Sequence, residues 1–152
     1  MTEDASPRGY DMVLERHLAA PPDMVWKAWD DPEVLPRWFG PEGHSCRTKS
    51  IDLREGGAWV FDMIGPDGTV YPNRHRFTLR RRPERIEFIM DDGEGNQPKT
   101  AVVELIPDGD GTHIRMVLTF PRKDYYDMAI QFGAQRLGMT TLAKLAAVVE
   151  RG

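Results

Sequence analysis

Residues 18–41, LAAPPDMVWKAWDDPEVLPRWFGP, hold three Trp, one Phe and five Pro within 24 positions. Pro21 and Pro22 suit a first helical turn, because proline has a fixed φ and that turn does not need the missing N–H. The apolar residues that follow recur at helical spacing, at Val25, Ala28 and Trp29. This pattern predicts a short helix that buries one aromatic face.

The second half of the segment predicts another short helix. Asp31 is a suitable N-cap, Pro32 occupies the first helical position, and Glu33 lies in the first turn. Residues 38–41, WFGP, end this helix. Such a dense group of aromatic rings is unsuited to a solvated face. We therefore expect every tryptophan of the chain to be buried. These residues are Trp26, Trp29, Trp38 and Trp59.

Outside this segment, apolar and polar residues alternate with the period of two that is typical of half-buried strands. The predicted inner faces are Met12, Leu14 and Leu18; Trp59, Phe61 and Met63; Tyr71, Asn73, His75, Phe77 and Leu79; Ile86, Phe88 and Met90; Ala101, Val103 and Leu105; and Ile114, Met116, Leu118 and Phe120. Residues 45–53 are predicted as a further strand. Seven strands joined by short turns predict an antiparallel meander. Arg80, Arg81, Arg82 and Arg85 lie at one of these turns and are predicted to be solvated.

From Lys123 onward the hydrophobic period changes to three or four residues, and this period continues to residue 149. It predicts one long amphipathic C-terminal helix of roughly 20–28 residues. Its apolar stripe comprises Met128, Phe132, Gln135, Met139, Leu142, Leu145 and Val149. Gly133 and Gly138 interrupt the pattern. They either allow a kink or a close approach to the sheet, or are simply tolerated there.

Residues 20–41, APPDMVWKAWDDPEVLPRWFGP, resemble the N-terminal signature of the family of homologues of the heat-shock protein 90 ATPase activator. This family belongs to the START-like superfamily, also called SRPBCC, helix-grip or polyketide cyclase-like. The resemblance covers residues 12–149 and includes four further motifs: GGAW at 56–59, GPDG at 65–68, PERI at 83–86 and LAKL at 142–145.

The resemblance implies an α+β helix-grip fold of the START-like or Bet v 1-like type. In that fold a seven-stranded antiparallel sheet wraps around a long C-terminal helix, and two short helices follow the first strand. It also implies a ligand cavity between the sheet and the long helix.

The composition favours a single START-like domain over residues 10–152, preceded by a disordered polar tail of residues 1–9. The formal net charge of -4 argues against nonspecific binding to nucleic acids or anionic membranes. The single cysteine, Cys46, excludes an internal disulfide and fits a reducing compartment. The chain lacks a signal-peptide pattern and a long apolar run. It is therefore predicted to be cytoplasmic and either a monomer or a homodimer.

The sequence contains no nucleophile, phosphate-binding or metal-ligand motif, and its four histidines lack metal-ligand spacing. No metal and no cofactor are predicted. His75 is the candidate catalytic residue, because alternation places it on the predicted cavity face with Tyr71, Asn73 and Phe77. A titratable ring there could bond a ligand or act as a general base. Alternatively, it is a core histidine paired with Asn73 or a backbone carbonyl.

The resemblance and the apolar inner faces together predict that a small hydrophobic or aromatic molecule is the partner. Candidate ligand-binding residues are Trp59, Phe61, Met63, Tyr71, Asn73, His75, Phe77, Phe88, Met116, Met128 and Phe132. Methionine adapts to irregular ligands, although the same residues could simply fill the core. The alternative function is an enzyme of the polyketide cyclase/dehydratase or hydrolase type in the same cavity. A co-chaperone-type ATPase activator ranks third, because established activators resemble longer, two-domain proteins.

Overall fold

The computed structural model describes residues 10–96 and 98–150, and up to Thr119 its elements follow the predicted order. The predicted tail, residues 1–9, lies outside the described residues. The strands are β1 (Asp11–Leu18), β2 (Ser45–Ile51), β3 (Ala58–Ile64), β4 (Val70–Arg81), β5 (Arg85–Asp91), β6 (Lys99–Asp108) and β7 (Gly111–Thr119). The helices are α1 (Pro22–Asp30), α2 (Leu35–Trp38), α3 (Lys123–Gln131) and α4 (Ala134–Val149).

The seven strands form one antiparallel sheet in the order β1-β7-β6-β5-β4-β3-β2. Strands β2 to β7 are a meander, and β1 joins its far end by pairing with β7. Consecutive strands β1 and β2 therefore occupy opposite edges, and α1 and α2 lie between them in the chain. With helices packed on one face of this sheet, the α+β helix-grip fold is confirmed.

Both edge strands carry polar or charged contacts. On β1, the Val13 carbonyl accepts a 3.0 Å hydrogen bond from the Gln135 side chain of α4. Just after β1, the Ala19 N–H donates to Glu150 at 2.9 Å. On β2, the exposed side chains of Arg47 and Lys49 reach Asp62 at 2.9 and 3.4 Å.

The two short helices lie near their predicted positions, but the second begins later than Asp31 predicts. The Asp31 carbonyl accepts hydrogen bonds from the backbone N–H groups of Val34 and Leu35, and its side chain accepts one from Glu33. Asp31 therefore caps a turn and not α2. The chain changes direction in this turn, and α2 starts after it at Leu35.

All four tryptophans are buried, as predicted, with at most 3% of any of them exposed. Trp38 donates its indole N–H to the Ala28 carbonyl at 3.0 Å, and its ring meets Trp29 edge-on at 4.9 Å between centroids. The two short helices are thus joined by rings that also cover one end of the sheet core.

A register shift between Phe77 and Leu79 changes the predicted alternation of β4. After this bulge, the Arg80 side chain is only 5% exposed, so its predicted solvation is wrong. Arg80 donates to the Trp29 carbonyl at 3.3 Å and lies over the Phe77 ring at 4.6 Å. A bulge adds one residue to a strand and re-aims the side chains beyond it, which explains the error.

The C-terminal segment forms two helices, so the prediction of one long helix is wrong. Helix α3 ends at Gln131, and Gly133 adopts φ +78°, a left-handed conformation that glycine reaches without strain. Helix α4 then buries five residues against the sheet and α1, whereas α3 buries none. Gly138 marks a close approach, because a Cβ there would lie 2.6 Å from Leu14 Cδ1 on β1.

Among the described residues, no helix is both long and apolar enough to cross a membrane.

Candidate ligand-binding site

An apolar cavity of about 240 Å³, here called the sheet–helix cavity, lies between the inner face of the sheet and the first half of α4. Its sheet side includes Leu14, Met63, Asn73, Phe88, Met90, Met116 and Leu118. Its helix side includes Ala134, Leu137, Gly138 and Thr141, and Phe39, Gly40 and Pro41 close one end. Small residues at 134 and 138 leave the space open where a larger side chain would project.

The end wall of the cavity is fastened to α4 by polar contacts outside the apolar lining. Lys144 Nζ donates to the carbonyl oxygens of Gly40 and Pro41 at 3.1 and 3.4 Å. The Glu42 N–H donates to Thr140 Oγ1 at 2.9 Å. These bonds hold the WFGP turn against the helix, so the turn positions the site as well as ending α2.

Four of the residues predicted to bind a ligand do line the cavity: Met63, Asn73, Phe88 and Met116. Four others belong to the core behind its wall and are at most 3% exposed: Trp59, Phe61, His75 and Phe77. The remaining three lie outside the wall and are 48–75% exposed: Tyr71, Met128 and Phe132. The helix break at Gly133 explains the exposure of Met128 and Phe132. Their predicted burial assumed one continuous helix, and α3 does not continue along the axis of α4.

Met90 and Leu118, on predicted inner faces, also line the cavity, and the other lining residues that the sequence did not single out come from β1, the WFGP turn and α4. Leu14 was predicted on an inner face, and residues 38–41 were interpreted only as a helix end. The close approach at Gly138 was one of the open interpretations of that glycine. Only three-dimensional placement shows that these three segments meet around one space.

His75 is separated from the cavity by one layer of aromatic rings and is 2% exposed. Its imidazole stacks on Phe88 at 4.7 Å between centroids and meets the edge of Phe39 at 5.1 Å. Both of these rings line the cavity. Asn73 does not pair with His75 and instead donates to the Tyr71 carbonyl at 2.9 Å.

The electrostatic surroundings of His75 keep it neutral. The pKa of its imidazole is lowered to about 3, chiefly by burial and to a smaller extent by the charge of Lys99, and Asp91 partly opposes both effects. Nε2 is buried and has no hydrogen-bond partner within residues 10–96 and 98–150. A neutral ring with an open nitrogen could accept or donate one hydrogen bond, according to its tautomer.

Cys46 is a structural thiol. Burial raises its pKa to about 11, against a smaller opposing effect of Lys144. Its Sγ lies 3.4 Å from the Phe39 carbonyl, to which it donates. The thiolate that nucleophilic chemistry requires is therefore disfavoured. Within the described part of the chain, no three His, Cys, Asp or Glu side chains are grouped as metal ligands.

A larger concavity of about 600 Å³ lies between α1 and the β4–β5 turn, but its character is different. Its rim carries Arg81, Glu84, Arg85 and Glu104, and Arg85 pairs with Glu104 at 2.9 Å. It is a groove with several charged residues in its walls, two of which pair with each other. The smaller sheet–helix cavity has the apolar lining that a hydrophobic ligand requires.

The comparisons with known proteins agree with this architecture. A family model described as Activator of Hsp90 ATPase homolog 1-like protein matches residues 19–150. A crystal structure of a protein from Nitrosomonas europaea is 28% identical, with a TM-score of 0.81, and the match covers 93% of this chain and 94% of that chain. A crystal structure from Chromobacterium violaceum is 27% identical, with a TM-score of 0.77 and coverage of 92% and 97%.

A solution structure from Arthrobacter aurescens, at 23% identity, has a TM-score of 0.86 and coverage of 98% of this chain and 91% of that chain. At this identity the likeness concerns the fold alone. The comparison with curated proteins gave no match.

Proposed function

Because the chain belongs to the Activator of Hsp90 ATPase homolog 1-like family, we propose that it binds a small hydrophobic or aromatic molecule in the sheet–helix cavity. The observation that carries this proposal is the cavity lining. Apolar side chains from β1, β3, β5, β7 and α4 converge on one space, and Asn73 and Thr141 supply its polar side chains. An apolar interior with few polar groups is typical of small-molecule sites.

The volume limits the size of the ligand. An apolar cavity of roughly 150 Å³ accommodates benzene, so a cavity of about 240 Å³ suits a body of one or two fused rings, or a short alkyl chain. Met63, Met90 and Met116 in its wall are unbranched and polarisable, so they can adjust to ligands of different outline.

Catalysis on such a ligand is a second candidate, and one observation favours it. The neutral His75 imidazole has a buried, unpaired nitrogen close behind the cavity. To reach a ligand it would require movement of Phe39 or Phe88, whose rings stand between it and the space. Binding is therefore the primary proposal.

A substitution that fills the cavity tests the proposal. In Ala134→Trp, an indole replaces a methyl group in the cavity wall, so the affinity for 1-naphthol should fall by about tenfold or more. Isothermal titration calorimetry of the wild type and the variant measures the change, and circular dichroism verifies that the variant is folded.

The matched control is Ala143→Trp, the same substitution at an exposed position of α4. It should leave 1-naphthol affinity within about twofold of the wild type, since surface changes have small effects. Equal affinity of folded Ala134→Trp and wild type, or no saturable binding to the wild type, would count against the cavity as a binding site.

A further inference from the structure

A second concavity of about 200 Å³ lies beneath α3 and is here called the α3 cleft. Its walls include Phe120 after β7 and the α3 residues Tyr125 and Met128, and Phe132 follows at the end of the helix. Lys99 at the start of β6 is the one charged residue in this lining. An apolar cleft with a single cation is suited to a ligand that carries one negative charge.

The ammonium group of Lys99 lacks the hydrogen-bonding or charged partner that three other lysines of the chain have. Lys123 pairs with Asp127 at 2.7 Å, Lys49 pairs with Asp62 at 3.4 Å, and Lys144 donates to backbone carbonyls. Within residues 10–96 and 98–150, the Lys99 ammonium group has no ion pair and no hydrogen bond, and its Nζ lies 5.8 Å from the centre of the Phe120 ring. Burial lowers the pKa of its ammonium group, which reflects incomplete solvation of the charge.

The α3 cleft adjoins the sheet–helix cavity along the inner face of the sheet. Lys99 is the register partner of Met90, which lines the cavity. Directly paired residues have Cβ atoms roughly 4.5–5.5 Å apart on the same face. On the helix side, Phe132 of the cleft and Ala134 of the cavity flank Gly133. An elongated molecule lying across Met90 would therefore reach both spaces.

We propose that the ligand is an amphipathic carboxylate whose apolar body occupies the sheet–helix cavity and whose anionic head pairs with Lys99 in the α3 cleft. This inference rests on the proposed function and adds the ligand class to it. The carboxylate would supply the counter-charge that Lys99 lacks within the described residues. The Phe120 and Tyr125 rings would partly shield the pair from water and so strengthen it.

Decanoate and 1-decanol test the proposal, because they share a chain length and differ in the charge of the head group. Both are titrated by calorimetry into the wild type, Lys99→Met and Lys99→Arg. In Lys99→Met, which keeps the apolar stem, decanoate should bind about tenfold or more weakly, whereas 1-decanol affinity should be unchanged. Lys99→Arg should retain most of the decanoate affinity. Lys27→Met makes the same charge change on the exposed face of α1, outside both linings, and should affect neither ligand.

Two outcomes in Lys99→Met would overturn the inference and leave the proposed function standing. One is unchanged decanoate affinity in Lys99→Met. The other is an equal loss of decanoate and 1-decanol in that variant, which would assign Lys99 to packing alone. Decanoate binding to Ala134→Trp at wild-type affinity would also overturn it, because the apolar body would then lie elsewhere. Failure of both 1-naphthol and 1-decanol to bind the wild type would instead refute the proposed function.

Discussion

Trp38→Ala should lower the free energy of unfolding by about 3–5 kcal/mol, the usual loss for a buried aromatic residue truncated to alanine. Trp38 is 1% exposed and packs edge-on against Trp29. The substitution removes the ring, leaves a cavity between α1 and α2, and frees the Ala28 carbonyl that the indole N–H satisfies. Urea unfolding followed by far-UV circular dichroism measures the difference.

Two variants locate the origin of this effect. Trp38→Phe keeps a ring and removes the hydrogen bond, so it should cost clearly less than Trp38→Ala. Phe132→Ala removes a ring that is 75% exposed and should change the free energy of unfolding by no more than about 0.5 kcal/mol. A loss of that small size for Trp38→Ala would show that the aromatic cluster does not support the fold.

His75→Phe should make the protein less sensitive to acid. In the wild type the folded imidazole has its pKa lowered to about 3 by burial, from 6.5. Between these two pH values the unfolded state binds a proton that the folded state does not. Stability then rises with pH and is lost on acidification, by about 1.4 kcal/mol per pH unit for one proton. Phenylalanine cannot bind this proton, so His75→Phe should not show this loss of stability on acidification.

The free energies of unfolding of the wild type and His75→Phe should be compared from pH 7.5 to pH 5. The loss between these pH values should be about 2 kcal/mol smaller for the variant. At pH 7.5, His75→Phe should be as stable as the wild type or more stable, because it removes a buried nitrogen without a partner in the described chain. Phe61→Leu changes a ring beside His75 without removing a titratable group. It should lower stability equally at each pH.

Parallel pH curves for the wild type and His75→Phe would contradict the neutral, buried state of the imidazole. A loss above about 1 kcal/mol at pH 7.5 would show instead that the imidazole is satisfied in the native protein, as a core histidine usually is.

The fold could be predicted from the sequence where local pattern and tertiary environment agree. The alternation around Phe61, Phe88 and Met116 indicates strands, the prolines at the start of α1 indicate a helix, and the fold contains both. Prediction and structure differ where the conformation at a single backbone position overrode the hydrophobic pattern. The bulge after Phe77 redirected Arg80, and Gly133 ended α3 inside an otherwise continuous helical period.

The candidate site was harder to predict, because a cavity is formed by what several segments leave empty. Strand alternation selected Met63 and Met116, which line the cavity and whose faces depend only on local periodicity. It could not separate wall residues from deeper ones such as His75, since both share the inner face. It also could not place Met128, because the direction of α3 depends on the conformation of Gly133.

The position of β1 and β2 at the two ends of the sheet bears on how copies of the chain meet at high concentration. An unprotected edge strand offers its backbone to a second chain, which leads to polymerisation through added strands. At the β1 end, the Val13 carbonyl is already occupied by Gln135. At the β2 end, Arg47 and Lys49 would bring like charges together if two such edges paired. Aggregation by sheet extension is therefore disfavoured at both ends.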